Sequence, residues 1–343
     1  MLNNKKVVFE KPWSAKLLDE SLDENAIAPG QVLLKKRYSI ISTGTELACL
    51  SGGESWFALP GTPGYSCAAE VVKIGTGITD FSPGDMVFCY GSHTLYEIMS
   101  PEGVFLKVPK EIDLKWIPFV RIASIAATAI RASDIEWGDF TAVTGQGLVG
   151  NMAMQLAKLQ GAKTIAIDIA EKRLDIAKQC GAELVINASN QDVATEIKRF
   201  TGGYMASTLI EATGVPSMNI KAAEWVEQNG EMIFLGSPRG KYETDVTPFL
   251  NRTHLAAFNV TLKGAHEWRY PVNRTPFVKH SLERNSELII ELISRKRLTL
   301  EPLLTEIASP ADCGAMYEKL RNHKDQYMGI LFDWNITDRI AKA

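Results

Sequence analysis

Short apolar segments separated by glycine and proline dominate the first third of the chain, from Lys5 to about Lys110. Most of them are rich in β-forming residues and end at turn residues, which is typical of strands. We therefore predict a compact β-rich domain with strands at residues 31–41, 68–74, 85–89, 95–99 and 104–108.

The pattern changes at about Asp113, where apolar strands begin to alternate with helical segments. Such alternation is typical of a parallel, doubly wound sheet with helices on both faces. The predicted strands lie at residues 140–144, 164–168, 184–186, 207–211, 231–235 and 260–263. The predicted helices between them lie at residues 150–160, 171–180, 193–201 and 218–227.

Beyond Lys263 the sequence returns to a mixed pattern, with an amphipathic helix at 287–295 and a strand at 328–332. The doubly wound domain is therefore inserted between two parts of the β-rich one. A chain of 343 residues is also long for a single core. We predict an α/β protein in which residues 1–121 and 262–343 form one domain and residues 122–261 the other.

A glycine-rich turn with the pattern Gly-x-Gly-x-x-Gly joins the predicted strand 140–144 to the helix that follows. Strand, turn and helix in this order are typical of a dinucleotide-binding site. The glycines permit a tight turn, a close approach of the backbone to a pyrophosphate, and close packing of the helix on the strand. The first N–H groups of the helix face the phosphates. We predict cofactor contacts at Gly145, Gly147, Leu148, Val149 and Gly150.

The next predicted strand ends in Asp168, at about the 20-residue distance expected of an acidic residue that binds the adenosine ribose. Its carboxylate can accept hydrogen bonds from the ribose hydroxyls, whereas a 2′-phosphate would meet like charge. Asp168 therefore favours NAD over NADP as the cofactor. Arg173 follows it, and its side chain either lies over the adenine or is a solvated helix residue.

Composition restricts the classes of partner. Hydrophobic residues make up 45% of the chain and charged residues 22%, as in ordinary soluble proteins, and the net charge of −3 gives no basic surface for nucleic acid. We find no apolar signal core and no apolar run of membrane-spanning length, so we expect a cytoplasmic protein that does not bind membranes. The five cysteines are scattered, which favours reduced thiols.

The whole chain resembles the medium-chain dehydrogenase/reductase superfamily, which contains the zinc alcohol dehydrogenases and their zinc-free relatives. The resemblance is carried by residues 75–87, which end in Gly-Asp-Met-Val, by residues 174–186 and by the glycine turn. It implies a GroES-like catalytic domain, a Rossmann nucleotide-binding domain and a homo-oligomer, either a dimer or a tetramer. It also implies that loops after two Rossmann strands line the cofactor, at Thr213, Gly214, Leu235 and Gly236, although each of these also fits an ordinary loop.

The zinc ligands of that superfamily are absent from this sequence. The segment that would hold the first ligand cysteine reads Ile-Ser-Thr-Gly-Thr-Glu at 41–46, and Gly-His-Glu is replaced by Gly-Tyr-Ser at 64–66. Around the third position the chain reads Val-Arg-Ile-Ala-Ser at 120–124. Zinc requires Cys, His or carboxylate ligands that converge on one point. We predict no catalytic zinc; the alternative is an unusual metal site that includes His93 and Glu46.

Oxidation of an alcohol without a metal requires a side chain that accepts the hydroxyl proton. The resemblance places four polar residues near the nicotinamide, namely His93, Tyr65, Glu46 and Thr43. Histidine is the residue type best suited to proton transfer at neutral pH, which makes His93 the first candidate. The simpler interpretations are a loop residue for His93 and a packing residue for Tyr65.

Residues 42–46, 64–66 and 89–93 are most similar to those of bacteriochlorophyllide hydroxyethyl dehydrogenases and of glycoside or polyol dehydrogenases. This similarity implies NAD-dependent oxidation of a secondary hydroxyl on a sugar, glycoside or cyclitol, or reduction of the matching ketone. His266 and Glu267 are the candidates for hydrogen bonds to such a small-molecule substrate. The alternatives are a zinc-free quinone or enone reductase and an NAD-binding protein without turnover.

Overall fold

The structure, a computed structural model, describes residues 1–336, which fall into two compact units. Within the described residues, the first unit comprises Met1–Arg121, Ser286–Arg297 and residues 304–336, and the second comprises Ile122–Asn285 and Leu298–Leu303. None of the described helices has the length and hydropathy needed to cross a membrane.

Both units are built from strands and helices numbered here in chain order. The described strands are β1 (Leu2–Lys11), β2 (Ser14–Leu22), β3 (Val32–Ile40), β4 (Cys67–Ile74), β5 (Met86–Cys89), β6 (Tyr96–Met99), β7 (Phe105–Lys107), β8 (Phe140–Thr144), β9 (Lys163–Asp168), β10 (Leu184–Asn187), β11 (Ala206–Glu211), β12 (Val226–Phe234), β13 (Thr261–Gly264), β14 (Leu304–Ala308) and β15 (Gly329–Asp333). The described α-helices are α1 (Thr43–Ser51), α2 (Phe119–Ala132), α3 (Leu148–Gln160), α4 (Glu171–Gln179), α5 (Val193–Thr201), α6 (Pro216–Lys221), α7 (Thr247–His254), α8 (Leu282–Ser294) and α9 (Cys313–Asn322).

A mainly antiparallel sheet forms the centre of the first unit. Its strands follow the order β14, β15, β3, β4, β5 and β7, with β6 also paired to β3, while β1 and β2 form a separate hairpin. Only β14 and β15 pair in parallel. Alternate residues of β3 and β4 face one apolar core, because successive side chains of a strand point to opposite faces.

A second apolar core of the first unit surrounds the polar residues described below. It includes Phe9, Tyr317, Phe332 and Trp334. The rings of Phe9 and Tyr317 meet edge to face with centroids 4.9 Å apart, and Phe332 meets the ring of His93 at 5.1 Å. This packing fixes the position of His93 within the unit.

The second unit contains a parallel sheet with the strand order β10, β9, β8, β11, β12, β13. The central strands are apolar because helices cover both faces of such a sheet; Ala142, Val143, Ile165 and Ala166 are fully buried. The chain order reverses between β8 and β11, and ligands of open α/β sheets bind at the carboxyl ends of the strands at this reversal.

The predicted elements of the second unit are largely confirmed, and strand 140–144 and helix 193–201 have the predicted bounds. The predicted helix 218–227 was too long. α6 ends at Lys221, a short 3-10 helix continues to Trp225, and Val226 already belongs to β12, where it is buried and pairs with β11.

The predicted domain boundary at residue 262 falls inside β13, which pairs in parallel with β12. The second unit therefore continues past this point, to Asn285. The short helix α1 was not predicted either. Its Thr-Gly-Thr start has no helical pattern of apolar residues, so the helix depends on its packing in the unit rather than on propensity.

Candidate functional site

The glycine turn of the second unit lies between β8 and α3. Gly145 has φ of 83°, a left-handed conformation that glycine adopts without strain. A Cβ atom on Gly150 would overlap the carbonyl oxygen of Gly145, whereas a Cβ atom on Gly147 would have no heavy atom within 4 Å. The turn itself therefore requires Gly145 and Gly150, while Gly147 leaves space in front of the helix.

Gly147 is also the N-cap residue of α3, so Leu148 and Val149 form the start of the helix. The first N–H groups of a helix have no acceptor within it and can bind an anion. The predicted pyrophosphate residues are thus brought together at one helix N-terminus.

Asp168 ends β9 and holds the glycine turn. Its Oδ2 accepts a hydrogen bond from the backbone N–H of Gln146 at 2.6 Å, and Oδ1 accepts from the N–H groups of Ile169 and Ala170 at 2.7 and 2.9 Å. Nη1 of Arg173 lies 3.7 Å from Oδ2, with the arginine side chain 21% exposed. Arg173 therefore lies beside the Asp168 carboxylate rather than fully in solvent.

The loops after β11 and β12 are held by Glu211, which is fully buried. Its carboxylate accepts hydrogen bonds from the N–H groups of Thr213 and Gly214, at 2.8 and 3.4 Å. Its backbone oxygen accepts from the N–H groups of Leu235 and Gly236, at 2.9 and 2.8 Å. Burial raises the pKa of the Glu211 carboxyl, and the hydrogen bonds from Thr213 and Gly214 oppose this shift. One residue thus joins all four predicted loop positions.

The predicted substrate residues lie in the second unit. His266 is exposed, and its Nδ1 accepts a hydrogen bond from the N–H of Trp268 at 3.4 Å, which caps a short 3-10 helix. Glu267 is buried. A contact of either residue with a substrate stays a prediction.

His93 lies in the first unit, within a buried hydrogen-bond network. The residue is fully buried, with Nδ1 2.8 Å from the Ser39 hydroxyl and Nε2 3.1 Å from Oε2 of Glu46. The indole N–H of Trp334 donates to the same Ser39 hydroxyl at 2.9 Å. Gly64 packs closely on His93, since a Cβ atom added to Gly64 would lie 2.6 Å from the backbone nitrogen of His93. His93 therefore has no accessible edge for a substrate.

Glu46 connects His93 to the start of α1. Its Oε2 also accepts a hydrogen bond from the hydroxyl of Tyr317 at 2.5 Å, and its Oε1 accepts from the backbone N–H of Ser42 at 2.7 Å. Burial and the neighbouring Glu46 carboxylate raise the pKa of Tyr317 well above its ordinary value, so this phenol remains a donor. Glu46 is thus a fixed acceptor that positions Ser42.

Tyr65, a partly exposed residue, adds its hydroxyl to this region. The Tyr65 hydroxyl donates a short hydrogen bond to the Ser42 hydroxyl. The guanidinium carbon of Arg121 lies 4.0 Å from the ring centroid of Tyr65 and 3.8 Å from that of Tyr90. Nη1 of Arg121 also donates to the backbone oxygen of Tyr65 at 2.9 Å. Thr43, beside Ser42, is half-buried and donates to the backbone oxygen of Met328 at 3.4 Å.

Ser42, Tyr65 and Arg121 lie in the three segments where the resemblance places zinc ligands. Hydroxyl groups and a guanidinium do not belong to the Cys, His and carboxylate set that binds zinc. Arg121 also brings a positive charge of its own. These residues do not fit a zinc ion. Across residues 1–336 we find no group of three or more His, Cys, Asp and Glu side chains that could hold a metal.

Comparison with known proteins shows the family. The family model described as alcohol dehydrogenase GroES-like domain matches residues 28–104, and the model described as zinc-binding dehydrogenase matches residues 149–275. L-threonine 3-dehydrogenase of Caldanaerobacter subterraneus subsp. tengcongensis is 31% identical over 256 residues, which cover 64% of this chain and 73% of that protein. The chain belongs to the medium-chain dehydrogenase superfamily.

Two further medium-chain dehydrogenases are similar over nearly the whole chain. D-guloside 3-dehydrogenase of Escherichia coli (strain K12) is 25% identical over 360 residues, which cover 96% of this chain and 100% of that protein. The crystal structure of galactitol-1-phosphate dehydrogenase from Escherichia coli superposes with a TM-score of 0.83 at 18% identity, and covers 96% of this chain and 99% of that one. The similarity to this structure shows the shared fold. Together the matches identify the chain as an oxidoreductase of the dehydrogenase type.

Three residues of this medium-chain dehydrogenase were missed among the predicted site residues, namely Ser42, Arg121 and Glu211. Arg121 could have been found from its place in the sequence. It is a charged residue in the otherwise apolar start of α2, and it lies in the segment where the resemblance places the third zinc ligand. Glu211 ends an apolar strand in the same way as Asp168. Ser42 gave no signal, because its hydroxyl becomes part of the site only through its contact with Tyr65.

Proposed function

We propose that the chain is an NAD-dependent dehydrogenase that oxidises a secondary hydroxyl of a sugar, glycoside or cyclitol, or reduces the matching ketone, without catalytic zinc. The hydrogen-bonded hydroxyls of Tyr65 and Ser42, in two of the segments where zinc-dependent relatives have metal ligands, carry this proposal. The match to D-guloside 3-dehydrogenase over nearly the full chain supports the substrate class.

The cofactor site of the proposed enzyme is the carboxyl end of the parallel sheet. The glycine turn and the start of α3 would bind the pyrophosphate, and Asp168 would bind the adenosine ribose. The loops that Glu211 joins would contact the nicotinamide part of the cofactor. A bound nicotinamide cofactor would supply the hydride acceptor for oxidation of the carbon that carries the hydroxyl, and its reduced form the hydride donor for the reverse reaction.

Tyr65 is the proposed proton carrier. In the direction of oxidation its phenolate accepts the proton of the substrate hydroxyl as the hydride leaves, and in the reverse direction the phenol donates it. Ser42 holds the Tyr65 oxygen, and Glu46 holds the backbone of Ser42. We therefore reassign His93 from proton acceptor to a positioning role, because it is fully buried and binds Ser39 and Glu46 with its two ring nitrogens.

Replacing Tyr65 with phenylalanine should lower kcat about 100-fold, the usual contribution of a general acid or base, with little change in melting temperature. Initial rates of nicotinamide reduction with a panel of polyols, glycosides and ethanol measure the effect. Tyr204→Phe, at a tyrosine that is 67% exposed, is the matched control and should have wild-type rates. Wild-type activity of Tyr65→Phe would contradict the assignment.

The same panel, run before and after treatment with a chelator, tests the other parts of the proposal. Polyols or glycosides should be oxidised in both cases, and ethanol in neither. If chelation abolished turnover and zinc restored it, the metal-free reaction would be refuted. Reduction of enones or quinones with NADPH, or binding of NADH without any turnover, would support one of the alternative functions instead.

The NAD preference should depend on the charge of Asp168. We expect Asp168→Asn to raise kcat/KM for NADP relative to NAD by about tenfold or more. The 2′-phosphate of NADP would no longer meet a carboxylate, and the positive charge of Arg173 would remain beside residue 168. Steady-state kinetics with both cofactors measure the ratio. Adding Arg173→Ala to this variant should remove the gain. A wild-type preference for NADP would contradict the role given to Asp168.

A further inference from the structure

Arg121 places a buried positive charge beside the proposed proton carrier. The residue is 7% exposed and lies near the start of α2, where its neighbours Phe119, Val120 and Ile122 are buried and apolar. An ionised group in such surroundings is costly unless polar or aromatic groups compensate it. Within the first unit, the rings of Tyr65 and Tyr90 and the backbone oxygen of Tyr65 contribute to this compensation.

The guanidinium group remains charged over the whole working range of a protein, and its planar form suits stacking on aromatic rings. A positive charge close to a phenol in a site of low dielectric favours negative charge on the phenol oxygen. The Tyr65 hydroxyl is held by Ser42, so the oxygen on which negative charge would develop has a fixed position on the ring that packs against the Arg121 guanidinium.

We propose that Arg121 supplies the positive charge that a zinc ion supplies in other medium-chain dehydrogenases. This inference rests on the proposed function. The proton of the substrate hydroxyl passes to the Tyr65 oxygen as the hydride leaves for the nicotinamide, and Arg121 stays protonated throughout. Its charge stabilises the Tyr65 phenolate that must be present before this transfer. Arg121 is thus a positioning residue that acts through Tyr65.

Other titratable groups surround Tyr65 and Arg121. On the side of α1, the Glu46 carboxylate binds the backbone of Ser42 and is itself bound by His93 and Tyr317. Beyond Arg121 lies Tyr90, whose ring packs on the guanidinium. The Glu46 carboxylate opposes the formation of a phenolate on Tyr65, and the positive charge of Arg121 acts in the opposite direction.

The first test compares Arg121→Met, which removes the charge, with Arg121→Lys, which retains it. We expect Arg121→Met to lower kcat about 100-fold near neutral pH with KM changed less than about threefold, as on loss of one group that stabilises developing charge. The pH at which kcat reaches its plateau should rise by about one unit or more. The kcat of Arg121→Lys should be at least about tenfold higher than that of Arg121→Met, because lysine retains the positive charge although it lacks the planar stacking.

Arg252 offers a matched control in the second unit. Its guanidinium also packs on an aromatic ring, 4.4 Å from the centroid of Phe258, and donates to a backbone oxygen, that of Val226, at 2.8 Å. Arg252→Met should leave kcat and its pH profile unchanged. If Arg121→Met and Arg121→Lys lost activity equally and with an unmoved pH profile, Arg121 would have only a structural role and the proposal would be overturned.

A second readout does not need turnover. The ultraviolet difference titration between a protein and its Tyr65→Phe counterpart reports the ionisation of Tyr65 directly. We expect the midpoint to move to higher pH in the Arg121→Met background and to stay near the wild-type value with Arg121→Lys. An unmoved midpoint would refute the inference. Because this titration uses no substrate, it separates a failure of the Arg121 proposal from a failure of the proposed dehydrogenase activity.

Discussion

Gly150→Ala is expected to abolish cofactor binding and to lower the free energy of unfolding by about 3 kcal/mol, at the upper end of the usual cost of overpacking. The added methyl group would overlap the carbonyl oxygen of Gly145, which is a backbone atom and cannot move without opening the turn. The same turn is held by the hydrogen bond from the Gln146 N–H to Asp168, so a shift would also displace the carboxylate proposed to bind the ribose. Calorimetric titration with NADH and chemical denaturation measure the two effects.

Gly147→Ala separates the two roles of the glycine turn. A Cβ atom at Gly147 would meet no heavy atom within 4 Å, and the φ of −69° is ordinary for alanine. The loss of stability should therefore stay below about 1 kcal/mol, the cost of a poorer N-cap residue. NADH affinity should still fall, because the methyl group takes the space through which a pyrophosphate approaches. The prediction for Gly150→Ala would be contradicted if that variant kept the stability and the NADH affinity of the wild type, because the turn would then not need Gly150.

Glu97→Gln is expected to destabilise the first unit by about 3–5 kcal/mol, the range found when one partner of a buried ion pair is removed. Lys36 is fully buried, and its Nζ lies 2.5 Å from Oε2 of Glu97. Burial alone would lower the pKa of Lys36, but the neighbouring Cys67 and Glu97 raise it, so the lysine is charged in the folded protein. Removal of Glu97 would leave this charge without its carboxylate.

The thiol of Cys67 replaces that carboxylate only to the extent that it is ionised. Burial raises its pKa, while the hydrogen bond with Cys89 and the charge of Lys36 lower it to about 7, so the thiol is only partly ionised near neutral pH. The charge of Glu97 raises the pKa of Cys67, so in Glu97→Gln the thiol should ionise at a lower pH than in the wild type. The destabilisation should therefore become smaller as the pH rises and Cys67 takes up the negative charge. Denaturation of the variant and of the wild type at pH 6 and pH 8 measures this difference.

Glu306→Gln is the matched control for this prediction. Glu306 binds Lys319 at 2.7 Å, and its side chain is 27% exposed, about the same as that of Glu97 at 26%. Lys319, however, is 34% exposed, whereas Lys36 is buried. An exposed pair of this kind contributes less than about 1 kcal/mol. Equal losses in the two variants would mean that the burial of Lys36 does not govern the stability of the pair.

The parallel sheet of the second unit could be predicted closely, because its signals are local. Each strand is a short apolar run, each helix repeats its apolar residues along one face, and a glycine turn or an acidic residue marks the end of a strand. Strand 140–144 and helix 193–201 agree with the structure to the residue. The helix predicted to end at residue 227 was too long, because pairing of Val226 with β11 is a contact between distant segments.

The polar residues of the first unit were predictable as a set but not in their arrangement. His93, Tyr65 and Glu46 could be chosen by residue type, yet the choice of His93 as the proton acceptor depended on its exposure, which packing of Gly64 and Phe332 decides. Arg121 lies 56 residues from the backbone oxygen that it binds, and Tyr65 lies 23 residues from Ser42.

The sequence by itself determined the fold class, the order of strand, glycine turn and helix with Asp168 at the end of the next strand, and the residue types at the positions where the resemblance places zinc ligands. Only the tertiary structure decided which of the replacing side chains meet, which of them is accessible, and which are fully buried. The physical reason is the range of the interactions. Periodicity and turn chemistry act over a few neighbouring residues, whereas the contacts of Ser42, Tyr65 and Arg121 are formed only when separate segments of the unit pack together.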